Sequence, residues 1–168
     1  MTQKFRIFII IFLAIILQVS FFPGLTAGKI VPDIVLILII IWSSQRRFED
    51  IWLGILFSGI FLDLVVFSKI GVNAISFVLI SFITSFLQRR FFITQKLSSF
   101  FVILAIVMGG TFFNFLITNF LTDFNVSFSW SWLGMKMFAN LIVAIFVYII
   151  TTRFKGILGV KETGLIVN

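Results

Sequence analysis

The segment Ile51–Phe67 has the sequence IWLGILFSGIFLDLVVF and decides the fold class, because it is apolar over almost its whole length. Asp63 is its only charged residue. A run of this length and apolarity is typical of a helix that crosses a membrane. Ionisable side chains inside such helices are costly, and by default they are hypotheses for functional sites. Asp63 is therefore the first candidate for a functional residue.

Composition extends the membrane interpretation to the whole chain. Of its 168 residues, 61% are hydrophobic and 11% are charged, whereas soluble domains carry about 25% charged residues. So few polar side chains cannot cover a soluble globule, and the chain is predicted to be an integral membrane protein. The formal charge of +7 comes from short basic clusters at the ends of apolar runs. Membrane topology explains such clusters, so nucleic acid is not an expected partner.

The residue types that are missing narrow the chemistry. Cysteine and histidine are both absent from the sequence, which excludes disulfides, thiol nucleophiles, imidazole bases and the usual zinc ligands. The sequence also contains no nucleophile with an adjacent base and no phosphate-binding loop. We expect a protein that is not an enzyme and that holds no metal or cofactor.

Six apolar segments approach the roughly 20 residues that a membrane-spanning helix requires. No repeat or linker separates them, so residues 1–168 are predicted to form one all-α polytopic domain. The first helix is expected to end at Pro23-Gly24. The six predicted spans are approximately 5–22, 30–44, 51–67, 70–87, 100–121 and 133–152.

The positions of lysine and arginine predict the orientation, because basic residues concentrate on the cytoplasmic side. With the N-terminus inside, only Lys29, Lys69 and Lys136 fall on the outer side. Both termini are therefore predicted to lie in the cytoplasm, as in a multi-pass protein of the cytoplasmic membrane. The cytoplasmic set is Lys4, Arg6, Arg46, Arg47, Arg89, Arg90, Lys96, Arg153, Lys155 and Lys161.

Two acidic residues are predicted to lie at similar depth. At helical rise, Asp63 lies roughly 20 Å above the inner boundary and Asp33 about 16 Å above it, in the outer half of a core ~30 Å thick. We expect a shared polar cavity that opens outward. Pro32-Asp33 also resembles a helix start, with proline at the first position and an acid that complements the helix dipole. Asp63 has no such local role, so we expect it to pair with Lys136 or to contact a partner or ligand.

Small and polar residues follow helical spacing on three of the predicted spans. Gly54 and Ser58, with Gly59 beside them, form a small-xxx-small pattern that permits close approach of another helix. The polar stripes are expected to face the interior of the bundle and to form hydrogen bonds there. On the fourth span the stripe is Asn73, Ser76, Ser81, Thr84, Ser85 and Gln88; on the fifth it is Gly110, Thr111, Asn114 and Thr118.

Several short motifs follow one another in a distinctive order along the chain. Val31-Pro32-Asp33-Ile34 opens the second helix, and Arg46-Arg47 stands in the following loop. Gly54, Gly59 and Leu62-Asp63-Leu64 follow, and then Gly71-Val72-Asn73-Ala74. This order resembles the rod shape-determining protein MreD family, although the glycines before Asp63 are sparser than in the family pattern. The resemblance covers almost the whole chain.

This resemblance implies a non-enzymatic component of the bacterial elongasome in the inner membrane, required for rod shape. Such proteins associate with MreC, with RodA and its penicillin-binding transpeptidase, and indirectly with MreB filaments; membrane lipids surround them. The family is also similar in fold to the S-components of energy-coupling-factor transporters. That similarity leaves an alternative, a small-solute binding subunit of a transporter, although the first helix has only Ala14 where S-components carry small docking residues.

Overall fold

A computed structural model describes residues 3–26, 30–91, 96–121 and 129–153, and every regular element in these ranges is helical. The N-terminal helix α1 (Gln3–Ile16) continues through a π-helical turn (Leu17–Phe21) into the short α2 (Phe22–Leu25). The remaining helices are α3 (Ile34–Ser43), α4 (Phe48–Val66), α5 (Val72–Phe91), α6 (Lys96–Leu121) and α7 (Trp130–Arg153).

Helix α3 forms the centre of the bundle. Eight of its ten residues are buried, and α1, α4, α5, α6 and α7 all pack against it. Its sequence, IVLILIIIWS, is apolar on every side, which is the pattern of a helix surrounded by others. The hydrophobic core is therefore built around α3 rather than along one seam.

The outer helices expose large apolar side chains. Phe57 on α4, Phe101 on α6 and Phe146 on α7 are each more than 60% exposed. A contiguous apolar exterior suits lipid and would make a soluble protein aggregate. Among the described residues, two segments are long and apolar enough to cross a membrane, Phe100–Leu121 and Trp130–Thr151. The apolar helices Ile9–Leu25, Ile34–Ser43 and Val72–Leu87 are shorter.

The structure corrects two of the predicted boundaries. Pro23-Gly24 does not end the first helix, because the π-helical turn admits Pro23 into the first turn of α2 and the chain stays helical to Leu25. Proline tolerates that position because the amide hydrogens of a first turn have no intrahelical partner. Helix α3 starts at Ile34, so Pro32 is not at the first helical position as expected: it precedes the helix, and Asp33 is the N-cap residue.

Candidate functional site

Asp63 is fully buried near the end of α4 and organises the turn that follows it. Its Oδ1 accepts hydrogen bonds from Ser68 Oγ (2.8 Å) and Asn73 Nδ2 (2.7 Å), and its Oδ2 accepts one from Gly71 N (2.8 Å). A longer bond of 3.3 Å joins Asn73 N to Oδ1. Asp63 thus binds amide hydrogens at the start of α5, where α-helices lack internal acceptors and favour negative charge.

The turn enclosed by Asp63 contains two residues with positive φ. Phe67 ends α4 in the left-handed conformation (φ 55°), and Gly71 has φ 101° just before α5. The amides of Phe67 and Ser68 both donate to the Asp63 carbonyl, which closes the C-terminus of α4. A single residue therefore terminates one helix through its backbone and caps the next through its side chain.

Gly59 allows α4 to touch the start of α5. A Cβ atom added there would come within 2.5 Å of Ala74 N and 2.8 Å of Asn73 C. The backbone contact brings the first turn of α5 beside Asp63, one helical turn further along α4. Gly54, the other predicted small residue, faces the ring of Trp42, and Ser58 Oγ donates to the Gly54 carbonyl of its own helix (2.6 Å).

Asp33 belongs to a second polar site, between α3 and α7. Lys136 Nζ lies 2.9 Å from Asp33 Oδ2, and their side chains are only 18% and 12% exposed. Lys136 Nζ also lies 5.3 Å from the centroid of the Trp132 ring, within cation–π range. Asp33 occupies the N-cap position, but its carboxylate caps no backbone amide of α3; it is turned towards Lys136.

Amide side chains from other helices complete this second site. Asn140 Oδ1 accepts from Asp33 N (2.8 Å), and Asn140 Nδ2 donates to Thr111 Oγ1 on α6 (2.8 Å). Gln18 in the π-helical turn accepts from Val35 N (3.1 Å) and makes a longer bond of 3.4 Å to Asp33 Oδ1. The start of α3 is therefore capped by amide side chains from α7 and the π-helical turn.

The expected pairing of Asp63 with Lys136 is wrong. Lys136 contacts Asp33, and Asp63 is satisfied by its own following turn. Each carboxylate has its own set of hydrogen-bond or ion-pair partners, and the two sets have no residue in common. Counting residues from the end of a helix gives the depth of a side chain along the helix axis. It does not give the face of the helix on which that side chain lies, so it could not identify the partner of Asp63.

Burial confirms the inward position of seven of the ten residues in the expected polar stripes; Asn73 and Thr118 are half-buried, and the side chain of Gln88 lies outside the described residues. Ser81 on α5 is hydrogen-bonded to Ser43 on α3 (2.7 Å), and Ser76 on α5 donates to Asn114 on α6. The buried members of the stripes are Ser76, Ser81, Thr84, Ser85, Gly110, Thr111 and Asn114. These contacts connect helices at the middle of the bundle, where such hydrogen bonds contribute about 0.6 kcal/mol each.

The predicted basic clusters lie at the opposite end of the bundle from the Asp63 turn. Arg46 and Arg47 occupy the connection between α3 and α4, and Arg47 pairs with Glu49 at 3.3 Å on the exposed surface. Arg89 and Arg90 are in the last turn of α5, and their side chains lie outside the described residues, as do those of Lys4, Arg6 and Lys96. Lys29, Lys155 and Lys161 are also outside the described ranges.

A family model described as rod shape-determining protein MreD matches residues 1–155. The chain belongs to the MreD family. Among curated proteins and solved structures, no match is found. The motif residues that resembled MreD now have positions: Pro32 and Asp33 lie at the start of α3, and Asp63, Gly71 and Asn73 form the turn site. For an MreD protein this implies membrane association and a role in determining rod shape.

Three hydrogen-bonding residues of the two sites were not predicted from the sequence: Ser68 in the Asp63 turn, and Gln18 and Asn140 in the second polar site. Gln18 and Asn140 are uncharged amides within apolar helices, and both are buried at the start of α3. The available signal was polarity alone: an amide in a membrane helix needs a partner, and the amide hydrogens at the start of α3 need acceptors.

Proposed function

We propose that this MreD-family protein is a non-enzymatic membrane scaffold of the bacterial elongasome. In this proposal it binds MreC and through it joins RodA and its penicillin-binding transpeptidase to cytoplasmic MreB filaments. Membership of the family supports the role in cell shape. The specific partners come from the resemblance of the sequence to MreD, and the polar contacts of the bundle give the structural argument.

One observation carries the proposal: both buried carboxylates are satisfied by contacts within the chain. Asp33 is occupied by Lys136, and Asp63 by Ser68, Gly71 and Asn73. These groups hold helices in fixed positions, and the exterior of the described helices presents aliphatic and aromatic side chains. Such a surface binds other membrane helices by packing, which is what a scaffold for a single-span partner requires.

We also propose six membrane crossings with both termini in the cytoplasm. Helix α3 is short for a membrane crossing, because its ten residues cover only about 15 Å. The non-helical residues 30–33 would complete it, because irregular backbone is tolerated at membrane depth where it is buried in protein. Asn140 and Gln18 supply acceptors for the amides of Asp33 and Val35, which supports this placement. Arg46, Arg47, Arg89 and Arg90 would then face cytoplasmic headgroups or partners.

The alternative, capture of a small cationic solute at the two acids, has less support. Asp33 already faces an ammonium group, and all four bonds to Asp63 come from nearby residues of the chain. A solute would have to displace these partners.

The test is depletion in a rod-shaped host combined with affinity purification of MreC. Depletion is expected to round the cells, and the tagged wild-type protein is expected to recover MreC. Phe57→Leu changes one side chain on the exposed face of α4 and leaves the core intact, and it is purified alongside the wild-type protein for comparison. Normal rod growth after a clean deletion, or purification of the folded protein without MreC, would overturn the proposal.

A further inference from the structure

The turn Phe67–Gly71 carries two of the most exposed apolar side chains in the described part of the chain. Phe67 is 95% exposed and Ile70 is 70% exposed. Phe67 adopts a left-handed conformation that is uncommon for an aromatic residue and is held only where the surroundings impose it. The four hydrogen bonds to Asp63 supply that constraint, so the turn presents its apolar side chains from a fixed base.

The position of this turn along the bundle is set by Lys69. Its Nζ lies 3.3 Å from the carbonyl oxygen of Leu121, the last residue of α6. Leu121 is also the end of the long apolar segment Phe100–Leu121. The turn therefore lies level with the point where this segment would leave the hydrocarbon region.

The start of α7 lies at the same level. The hydrogen bond between Thr111 and Asn140 fixes the antiparallel register of α6 and α7, which places Trp130 level with Leu121. Trp130 begins the second long apolar segment and is 71% exposed, and Phe120 beside Leu121 is 73% exposed. Exposed aromatic residues at the ends of apolar segments are typical of the membrane interface, where tryptophan in particular is enriched.

We infer that the Phe67–Gly71 turn is a membrane-inserted element, whose Phe67 and Ile70 side chains enter the bilayer at the boundary between headgroups and acyl chains. The occupant of this surface is lipid, because its apolar residues lie at the level where both long apolar segments end. The ammonium group of Lys69 remains among polar atoms at the Leu121 carbonyl. The hydrogen bonds to the buried Asp63 carboxylate hold the turn in the backbone conformation that directs Phe67 outwards; this is the clamping role of Asp63.

The experiment uses single cysteines, since the chain contains none. Spin labels at Phe67→Cys and Ile70→Cys are measured in vesicles of phosphatidylglycerol and phosphatidylethanolamine that contain no other protein. Accessibility to oxygen, which partitions into lipid, is compared with accessibility to a water-soluble nickel chelate. Phe57→Cys in the middle of α4 is the lipid control, and Asp50→Cys in its first turn is the water control.

The inference predicts an oxygen preference at positions 67 and 70 that is lower than that of Phe57→Cys, as expected at the membrane interface, and at least several-fold above that of Asp50→Cys. Labels at positions 67 and 70 with the same accessibility as the Asp50→Cys label would overturn the inference. That result would also be obtained if this surface is exposed to water until a protein partner binds it. The clamping role of Asp63 is tested by adding Ser68→Ala, which removes one of the four hydrogen bonds to Asp63 and keeps the other three. Greater label mobility at position 67 is expected, and unchanged mobility would overturn the clamping role of Asp63.

Discussion

Asp33 and Lys136 form an ion pair of 2.9 Å between the start of α3 and the second turn of α7, largely enclosed by the bundle. The pair joins the central helix to an outer one, and the Asn140 contact to Asp33 N lies one turn away on α7. Removing either charge leaves the other without its partner at a site with little water. Such a loss is more damaging than removing both.

The first prediction concerns this pair. Asp33→Asn and Lys136→Met should each lower the free energy of unfolding by about 3 kcal/mol, the lower end for buried pairs because both side chains retain slight exposure. The double variant should lose less than the sum of the two. Thermal unfolding of detergent-purified protein measures this, with Arg47→Ala as the control for an exposed pair. Additive losses would show that the two residues do not interact.

A second prediction concerns Asp63. Asp63→Asn replaces one acceptor oxygen by an amide that faces hydrogen-bond donors, at a cost of about 1–3 kcal/mol. Ser68→Ala, which removes one of the same bonds, should cost about 1 kcal/mol. Since Asp63 and Lys136 share no partner, Asp63→Asn combined with Lys136→Met should be additive. A coupling energy well above 0.5 kcal/mol between them, from the same unfolding measurements, would contradict the separate sites described above.

Close helix contact at Gly59 leads to a third prediction. Gly59→Ala should destabilise the protein by about 1–3 kcal/mol or prevent folding, because the new methyl group meets the backbone of Asn73 and Ala74. Gly134→Ala on α7 is the matched control, since no atom lies within 4 Å of its added Cβ. It should be neutral or stabilising by up to about 1 kcal/mol. Yield after size-exclusion chromatography and thermal unfolding compare the two; equal behaviour would argue against the backbone contact.

The fourth prediction tests the amide cap of α3. Asn140→Leu leaves Asp33 N without its acceptor and should cost about 1–3 kcal/mol, whereas Thr111 Oγ1 keeps its hydrogen bond to the Val107 carbonyl. Thr111→Val removes the hydrogen bond from Asn140 Nδ2 and the bond from Thr111 to the Val107 carbonyl, but it leaves the acceptor of Asp33 N in place. Amide hydrogen exchange at the start of α3 provides a local measurement: exchange of the Asp33 amide should accelerate in Asn140→Leu but remain slow in Thr111→Val. Unchanged exchange in Asn140→Leu would mean that this amide is protected by other means.

The helical class and the inward polar stripes could be predicted from the sequence because both depend on residue periodicity. The burial of Ser76, Ser81 and Thr111 follows from their spacing on apolar helices. The partner of Asp63 could not be predicted, because it depends on a turn whose conformation includes a left-handed Phe67. No sequence rule assigns that conformation to phenylalanine, and it is part of the turn that brings the amide of Gly71 to the carboxylate.

The second site escaped prediction for a different reason. Its amide residues, Gln18 and Asn140, come from the first and last helices, and only the three-dimensional arrangement brings them to Asp33. The π-helical turn around Gln18 changes the face that this residue presents, so a regular 3.6-residue period places it imprecisely. The resemblance to the family identified Pro32 and Asp33, but not Gln18 and Asn140, which contact Asp33 in the folded protein.

The burial of α3 affects how genetic results on this protein should be interpreted. Eight of its ten residues lie inside the bundle, so they offer no surface to another protein. A substitution at Val35 or Ile39 that abolishes association with a partner must act by shifting the outer helices that carry the contact. Crosslinkers placed at such positions should capture only neighbouring helices of the same chain. Suppressors of these substitutions are accordingly expected within this protein rather than in its partners.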